Sequence, residues 1–186
     1  EPLDASAGRS SAVERIDHIG VASGDNQAAV AVWSQQLGCV VESQQTDMEM
    51  MIPVESFTSD KHGVAYHTRA PVPVGGLRAA FITVGDTELE FLQSFDPRHP
   101  AVVDHEAAGS TRQDQGAIAK FIAGRGAGLH HLAFKTPDIN GLLSDLDRAG
   151  LPVIDRRGRP GSRGGLIGFV KPAGMGGILI HLDQRP

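Results

Sequence analysis

The sequence predicts an α+β fold built from two copies of one strand–helix–strand module, and three observations predict it. First, the chain repeats itself: with His18 set on His131, "ERIDHIGVASGD" lies over "AGLHHLAFKTPD". Second, each of these stretches leads into apolar residues spaced by three and four, a helical stripe. The stripes are Ala28, Val32 and Leu37 in "NQAAVAVWSQQLG", and Ile139, Leu142, Leu143 and Leu146 in "INGLLSDLDRAG". Third, each copy closes on extended apolar runs, "LRAAFITVG" with "ELEFLQ" and "GLIGFV" with "GILIHLDQ", which read as strands.

The elements follow in chain order. Residues 1–12, "EPLDASAGRSSA", are small and polar, lack the apolar stretch of a secretory signal and read as a loose tail; the missing initial methionine reads as trimming. The first module spans 13–95. Its helix starts after Asp25, a cap, and stops at Gly38, where a C-terminal glycine belongs. Cys39, in "LGCVV", reads as a small buried side chain. An insertion over 44–76 interrupts the module; its Met48, Met50, Met51 and Phe57 suit a lid, a contact between copies or a substrate pocket. Residues 96–126 form a polar linker that ends in a short helix, "GAIAKFIAGRG". The second module spans 127–186, its helix capped by Asp138 and stopped by Gly150. A module of this kind leaves one apolar sheet face uncovered, and two copies can bury that face.

Composition excludes several classes of function. The 186 residues carry a net charge of -5, which gives no reason to expect a nucleic-acid partner. No apolar run approaches the length of about 20 residues that crosses a bilayer, so no membrane partner is expected. The lone Cys39 rules out an internal disulfide and suits a reducing, cytoplasmic compartment.

The repeat also matches four polar positions. Strand side chains alternate between faces. Ile16, His18 and Gly20 share one face; Leu129, His131 and Ala133 share another; Glu88, Glu90 and Leu92 share a third; Leu179, His181 and Asp183 a fourth. Laying "LEFLQ" over "IHLDQ" sets Glu90 on His181. His18, Glu90, His131 and His181 thus recur at equivalent sites among apolar neighbours, where an imidazole or carboxylate is costly unless paired or metal-bound. A lone strand histidine is often an ordinary satisfied core residue. Four at matched positions point instead to a divalent first-row metal. His130 is the rival of His131, but the repeat sets it over Asp17 and on the opposite face. His62, His67, His99 and His105 fall in the insertion or linker and read as solvated.

The stretches "IDHIGVAS", "VGDTELEFLQ", "GAIAKFIAGRGAGLHHLAFKTPDI", "RPGSRGG" and "PAGMGGILIHLDQ" together resemble the vicinal oxygen chelate superfamily, which includes glyoxalases, bleomycin-resistance proteins and dioxygenases. Within it the chain is most similar to the methylmalonyl-CoA epimerases. The resemblance implies paired βαβββ modules forming a partly closed mixed sheet around a metal cleft. It implies one divalent ion per chain (Co, Zn, Ni, Mn or Fe), held by His18, Glu90, His131 and the fourth position, a small-molecule acyl-CoA substrate, and a homodimer. The implied chemistry is proton abstraction alpha to a thioester, with charge absorbed as an enolate.

The chain departs from that family at two places. The fourth position normally holds a glutamate, in a run like "GVLIELVQ", and here it is His181. Where the family often reads "PEQGV", this chain has "PVGGL", with Val74 in place of the acid. Three imidazoles and one carboxylate leave a divalent ion with one net positive charge, a stronger Lewis acid than a neutral set. The family glutamate is also implicated as a proton-transfer base, a role that a ligated histidine does not fill simply. Candidate catalytic groups are therefore Glu90 and His181, with Glu49, Glu55 or His67 as a further proton carrier. Arg148, Arg156, Arg157, Arg159 and Arg163 cluster in "DRAGLPVIDRRGRPGSRGG" and suit coenzyme A phosphates, or else a solvated loop. Three alternatives stay open: a glyoxalase-type lyase or isomerase; an iron-dependent ring-cleaving dioxygenase using His18, His131 and Glu90; and a metal-free antibiotic-binding protein.

Overall fold

The computed structural model describes the backbone of residues 12–52, 55–60, 63–68, 72–95, 117–161 and 163–185, and the side chains of 12–42, 77–94, 117–161 and 163–185. The expected tail, apart from Ala12, and the linker before its helix lie outside the described residues. The strands are β1 (Arg15–Ala22), β2 (Val40–Ile52), β3 (Glu55–Asp60), β4 (Gly63–Thr68), β5 (Val72–Val84), β6 (Thr87–Phe95), β7 (Gly128–Lys135), β8 (Arg159–Pro160), β9 (Leu166–Val170) and β10 (Ile180–Gln184). The helices are α1 (Asn26–Ala31), which runs into a π-helical turn at Val32–Gln36, α2 (Ala117–Arg125) and α3 (Ile139–Arg148). Hydrogen bonding orders a mixed sheet as β2-β5-β6-β1-β7-β10-β9-β8, and β3 and β4 form a separate pair within the insertion. The α+β class and the repeated module expected from the sequence are both present.

The repeat is visible bond by bond where each opening strand turns into its helix. Ser23 N–H donates to the Leu92 carbonyl at 2.8 Å, and Thr136 N–H to the Asp183 carbonyl at 2.9 Å. Asp25 caps α1 by accepting from Ala28 N–H at 3.0 Å; Asp138 caps α3 by accepting from Gly141 N–H at 2.9 Å. The first helical N–H of each, Asn26 and Ile139, donates to a side-chain oxygen of the closing strand, Gln93 at 2.8 Å and Gln184 at 2.9 Å. These bonds satisfy N–H groups that a helix cannot satisfy itself. They also lock the closing strand in register with the helix start. Gly38 and Gly150, at φ of 70° and 78°, sit where each helix has ended, in the left-handed region that favours glycine.

The described residues pack as two compact units, one drawn from those up to Ile19 and from His131 onward, the other from those between Gly20 and His130. In the first, Ile139 and Leu143 of α3 bury against Val170 of β9 and Ile180 and Leu182 of β10. The predicted stripe of α3 is the observed one: Ile139 and Leu143 are fully buried, with Leu142 and Leu146 packed beside them. In the second, β5 is apolar on both faces. Ala79 and Phe81 pack with Ala22, Leu92 and Ile118 of α2, and the alternate residues Ala80 and Ile82 pack with Phe91 and Val30 of α1.

The stripe predicted for the first helix is corrected. Ala28, Val32 and Leu37 face solvent, the last two 53% and 61% exposed. The buried face runs instead through Asn26 and Val30 and continues in the half-buried Trp33. The reason is polar. The Asn26 amide donates to the Arg78 carbonyl at 2.9 Å and the Phe91 carbonyl at 3.0 Å, so a polar residue takes the buried first turn. The π-helical turn then changes the residue spacing on which the stripe depended. Cys39 is half-buried beside Val30 and its neighbours rather than fully enclosed. No helix of the described residues is long and apolar enough to cross a membrane.

Two substitutions test this assignment. Leu143→Ala, in a fully buried site, is expected to lower unfolding stability by about 2–5 kcal/mol. Leu37→Ser, on the exposed side, should stay within about 0.5 kcal/mol. Urea titration of both variants checks the contrast, and equal losses would restore the stripe read from the sequence.

Candidate metal centre

Three histidines from three strands converge in one unit. His18 comes from β1, His131 from β7 and His181 from β10, and they are 2%, 5% and 6% exposed. Their inward atoms are His18 Nε2, His131 Nε2 and His181 Nδ1. These lie 3.2 Å apart for His18 and His131, 3.2 Å for His18 and His181, and 3.4 Å for His131 and His181. The rings meet edge to face, with centroids 5.0 to 5.3 Å apart. Ring nitrogens so placed cannot all satisfy one another, because a neutral imidazole has one N–H and one lone pair. A cation that takes all the lone pairs resolves the conflict.

The strands make room for this. β10 runs parallel to β7 with His181 in register with Ala133, and antiparallel to β9 with His181 opposite Phe169. The small Ala133, two residues from His131 on β7, leaves space on that side. Phe169 fills the other: its ring stacks on His181 with centroids 4.6 Å apart and 15° between planes, and it meets His131 edge-on at 6.0 Å. Arg159 covers Phe169, its guanidinium 5.6 Å from the ring centroid, and is tethered to Asp155 at 3.2 Å.

Behind His18 lies a buried charged network. Asp17 Oδ2 accepts from His18 Nδ1 at 2.9 Å. Arg15 donates to Asp17 Oδ1 at 3.0 Å, and Arg185 donates to Asp17 Oδ2. Arg185 Nε also lies 3.3 Å from Asp183 Oδ2. Burial alone would raise the Asp17 pKa, but the His18 and Arg185 hydrogen bonds and charges outweigh it and hold the carboxyl below the ordinary carboxylate range. Asp183 goes the other way: burial raises it, Arg185 only partly offsets this, and the nearby Asp17 charge adds to the rise.

The sequence reading located three of these side chains. His18, His131 and His181 come together as one group able to hold a metal ion. His130, the rival of His131, packs edge-on against Phe121 of α2, with centroids 5.0 Å apart. Glu90 is buried on β6 in the other unit, opposite Phe81 of β5. Of the arginine cluster, Arg148 pairs with Asp145 and Arg159 with Asp155, while Arg156 and Arg157 are exposed. Glu49, Glu55, His67, Met48, Met50, Met51, Phe57, His62, His99, His105 and Val74 lie outside the described side chains. The reading missed Asp17, Asp183, Arg185 and Phe169. A signal for the first three exists: acids that interrupt apolar strands beside a candidate ligand, in "RIDHIG" and "IHLDQR", need a buried partner.

A chain that builds one strand–helix–strand module twice and buries an imidazole group on its strands belongs to a recognisable class of paired-module proteins. Residues 17–169 match the family model of the Glyoxalase/Bleomycin resistance protein/Dioxygenase superfamily, and the chain belongs to that superfamily. It is similar to the human mitochondrial methylmalonyl-CoA epimerase, 23% identical over 99% of this chain and 81% of that protein. It is 26% identical to an ethylmalonyl-CoA/methylmalonyl-CoA epimerase of Cereibacter sphaeroides, over 92% of this chain and 98% of that protein. A variant of the Streptomyces coelicolor methylmalonyl-CoA epimerase, solved with 2-nitronate-propionyl-CoA, shares the fold with a TM-score of 0.65 at 24% identity, covering 92% of this chain and 94% of that one. The methylmalonyl-CoA epimerase of Mycobacterium tuberculosis does so with a TM-score of 0.65 at 21% identity, covering 97% and 94%.

The stacked pair gives a test of the geometry. In a double-mutant cycle of Phe169→Leu and His181→Leu, a coupling energy of about 0.5–1.5 kcal/mol is expected from the ring contact. Strictly additive losses on chemical denaturation would show that the rings do not support each other.

Proposed function

We propose that the protein is a metal-dependent epimerase that moves the proton alpha to the thioester carbonyl of a branched acyl-CoA. The observation that carries this reading is the imidazole triangle. Nitrogens bound at about 2.0–2.1 Å in tetrahedral directions around zinc stand about 3.3 Å apart. The observed 3.2, 3.2 and 3.4 Å match that spacing. Three imidazoles favour zinc, cobalt, nickel or iron over the harder magnesium or calcium. When bound, such an ion supplies a Lewis acid that lowers the cost of negative charge on the thioester oxygen.

The residues divide the remaining work. His18, His131 and His181 hold the ion. Glu90 is not a member of the three-histidine group; it stays a candidate from the sequence because it occupies, in its own unit, the place His181 occupies in the other. Each stands on the closing strand opposite a phenylalanine, Phe81 or Phe169, and three residues before the glutamine that accepts from the helix start. As a carboxylate, Glu90 could accept and return a proton. His181, with Nδ1 directed at the other imidazoles, serves as ligand rather than base. Inversion requires a second proton carrier on the opposite face of the substrate, for which Glu49, Glu55 and His67 of the insertion are the sequence candidates. The names of the relatives support an acyl-CoA substrate. A homodimer and a cytoplasmic setting complete the reading.

The decisive assay is deuterium wash-in at the alpha carbon of methylmalonyl-CoA in heavy water. Exchange by the metal-loaded protein, abolished by Glu90→Gln, supports the epimerase. Oxygen consumption with bound iron and no wash-in would transfer the assignment to a dioxygenase. Metal analysis provides a second test: His131→Ala should lose stoichiometric zinc or cobalt, and retention of the full complement would remove the triangle from the mechanism. His181→Glu should keep the fold and shift metal preference or turnover, since it cancels the net positive charge of the site.

A further inference from the structure

A histidine can ligate a metal through one nitrogen only if its other nitrogen carries the proton, and something must decide which one does. The neighbours of His18 decide it. Nδ1 faces the fully buried Asp17 at 2.9 Å, while Nε2 faces the other two imidazoles. Asp17 sits between two guanidinium groups, Arg15 on Oδ1 and Arg185 on Oδ2, and a carboxylate so placed can only accept. His18 must then carry its proton on Nδ1, which leaves the Nε2 lone pair for the ion.

Arg185 is itself held in place. It bridges from Asp17 to Asp183 Oδ2, while Asp183 Oδ1 is buried with no hydrogen-bond partner among the described residues. Gly165 gives this strand end room: a Cβ there would stand 2.5 Å from both the Arg185 Cγ and the Gln184 carbonyl oxygen. The stretch of chain that carries Arg185 follows β10 directly, so the arginine links the strand of His181 to the strand of His18.

We propose that Asp17, clamped by Arg185, is the positioning residue of the metal centre: it fixes His18 as the Nδ1–H tautomer and aims Nε2 at His131 and His181. The assignment deepens the metal-centre reading and rests on it. It predicts that the clamp acts on metal affinity and on the His18 tautomer, neither of which a purely structural ion pair would move.

The test compares the full-length parent with Asp17→Asn and Arg185→Gln. Arg185 borders an open pocket of about 670 Å³ beside Glu14, Lys135 and Leu166, so its replacement opens no closed cavity and carries the test should the Asp17 variant not fold. Two quantities are read. Zinc affinity, by competition with a chromophoric chelator, should fall about 10–100-fold in Asp17→Asn, with Arg185→Gln falling in the same direction and Arg185→Lys recovering part of the loss. Nitrogen-15 NMR of the metal-free protein should find His18 as Nδ1–H in the parent and a population of Nε2–H in the variants. Folded variants with parental zinc affinity and an unchanged His18 tautomer overturn the clamp. A parent that binds no zinc overturns the metal-centre reading instead, while the tautomer measurement still decides the role of Asp17.

Discussion

The bond from the first helical N–H to a glutamine on the closing strand is the constraint on which the rest of this structure depends. Gln93 and Gln184 each accept such a bond, buried or half-buried, at the point where a strand turns into a helix. Because strand side chains alternate with period two, slipping the closing strand by a single residue would exchange its two faces. The glutamine forbids that slip, since a displaced strand leaves a helix N–H without a partner, at a cost of about 1–3 kcal/mol. Three residues before each glutamine stands a buried polar side chain, Glu90 or His181. The same hydrogen bond that starts each helix therefore sets the height and face of a buried polar residue.

Holding the strands in register brings a cost that the fold meets locally. Three imidazoles with little exposure to solvent lose hydration, and their inward nitrogens crowd within 3.4 Å. Ring contacts offset part of this: Phe169 stacks on one imidazole and meets another edge to face, and the Arg159 guanidinium lies over the phenylalanine ring. Charge offsets another part, since Asp17 and Arg185 bury a paired set behind His18 rather than a lone carboxylate. The polar interior is thus layered, with nitrogens at the centre, aromatic faces and ion pairs outside them, and aliphatic residues such as Leu143 and Val170 beyond.

This layering explains how much the sequence alone discloses. Repetition exposes whatever both copies share: the caps Asp25 and Asp138, the stops Gly38 and Gly150, and the pairing of Glu90 with His181. It is blind to what one copy does alone. Asp17 has His130 as its counterpart in the second copy, so the alignment treats the position as a variable outward residue, yet it is the more deeply buried of the two. Arg185 lies past the last matched residue and has no counterpart to draw attention to it. The first helix misleads for a related reason. Its apolar residues suit several phases, and the one adopted is chosen by an asparagine amide that satisfies two strand carbonyls, a tertiary demand that periodicity does not encode.

The three-histidine group also bears on what the two halves contribute. Two of its members reach inward through Nε2, but His181 uses Nδ1, the nitrogen nearer the backbone. A shorter reach from β10 suits a position with Phe169 opposite on β9 and β7 on the other side. Replacing a carboxylate by an imidazole at such a place changes charge more than shape. The reach needed at the centre is kept, one negative charge is removed, and the neighbouring Phe169 gains a flat partner to stack against. In the proposed function, such a site would still present a donor to a cation and would leave that cation the stronger Lewis acid. In that reading His181 is a ligand rather than a base, and Glu90 is left as the candidate for moving protons.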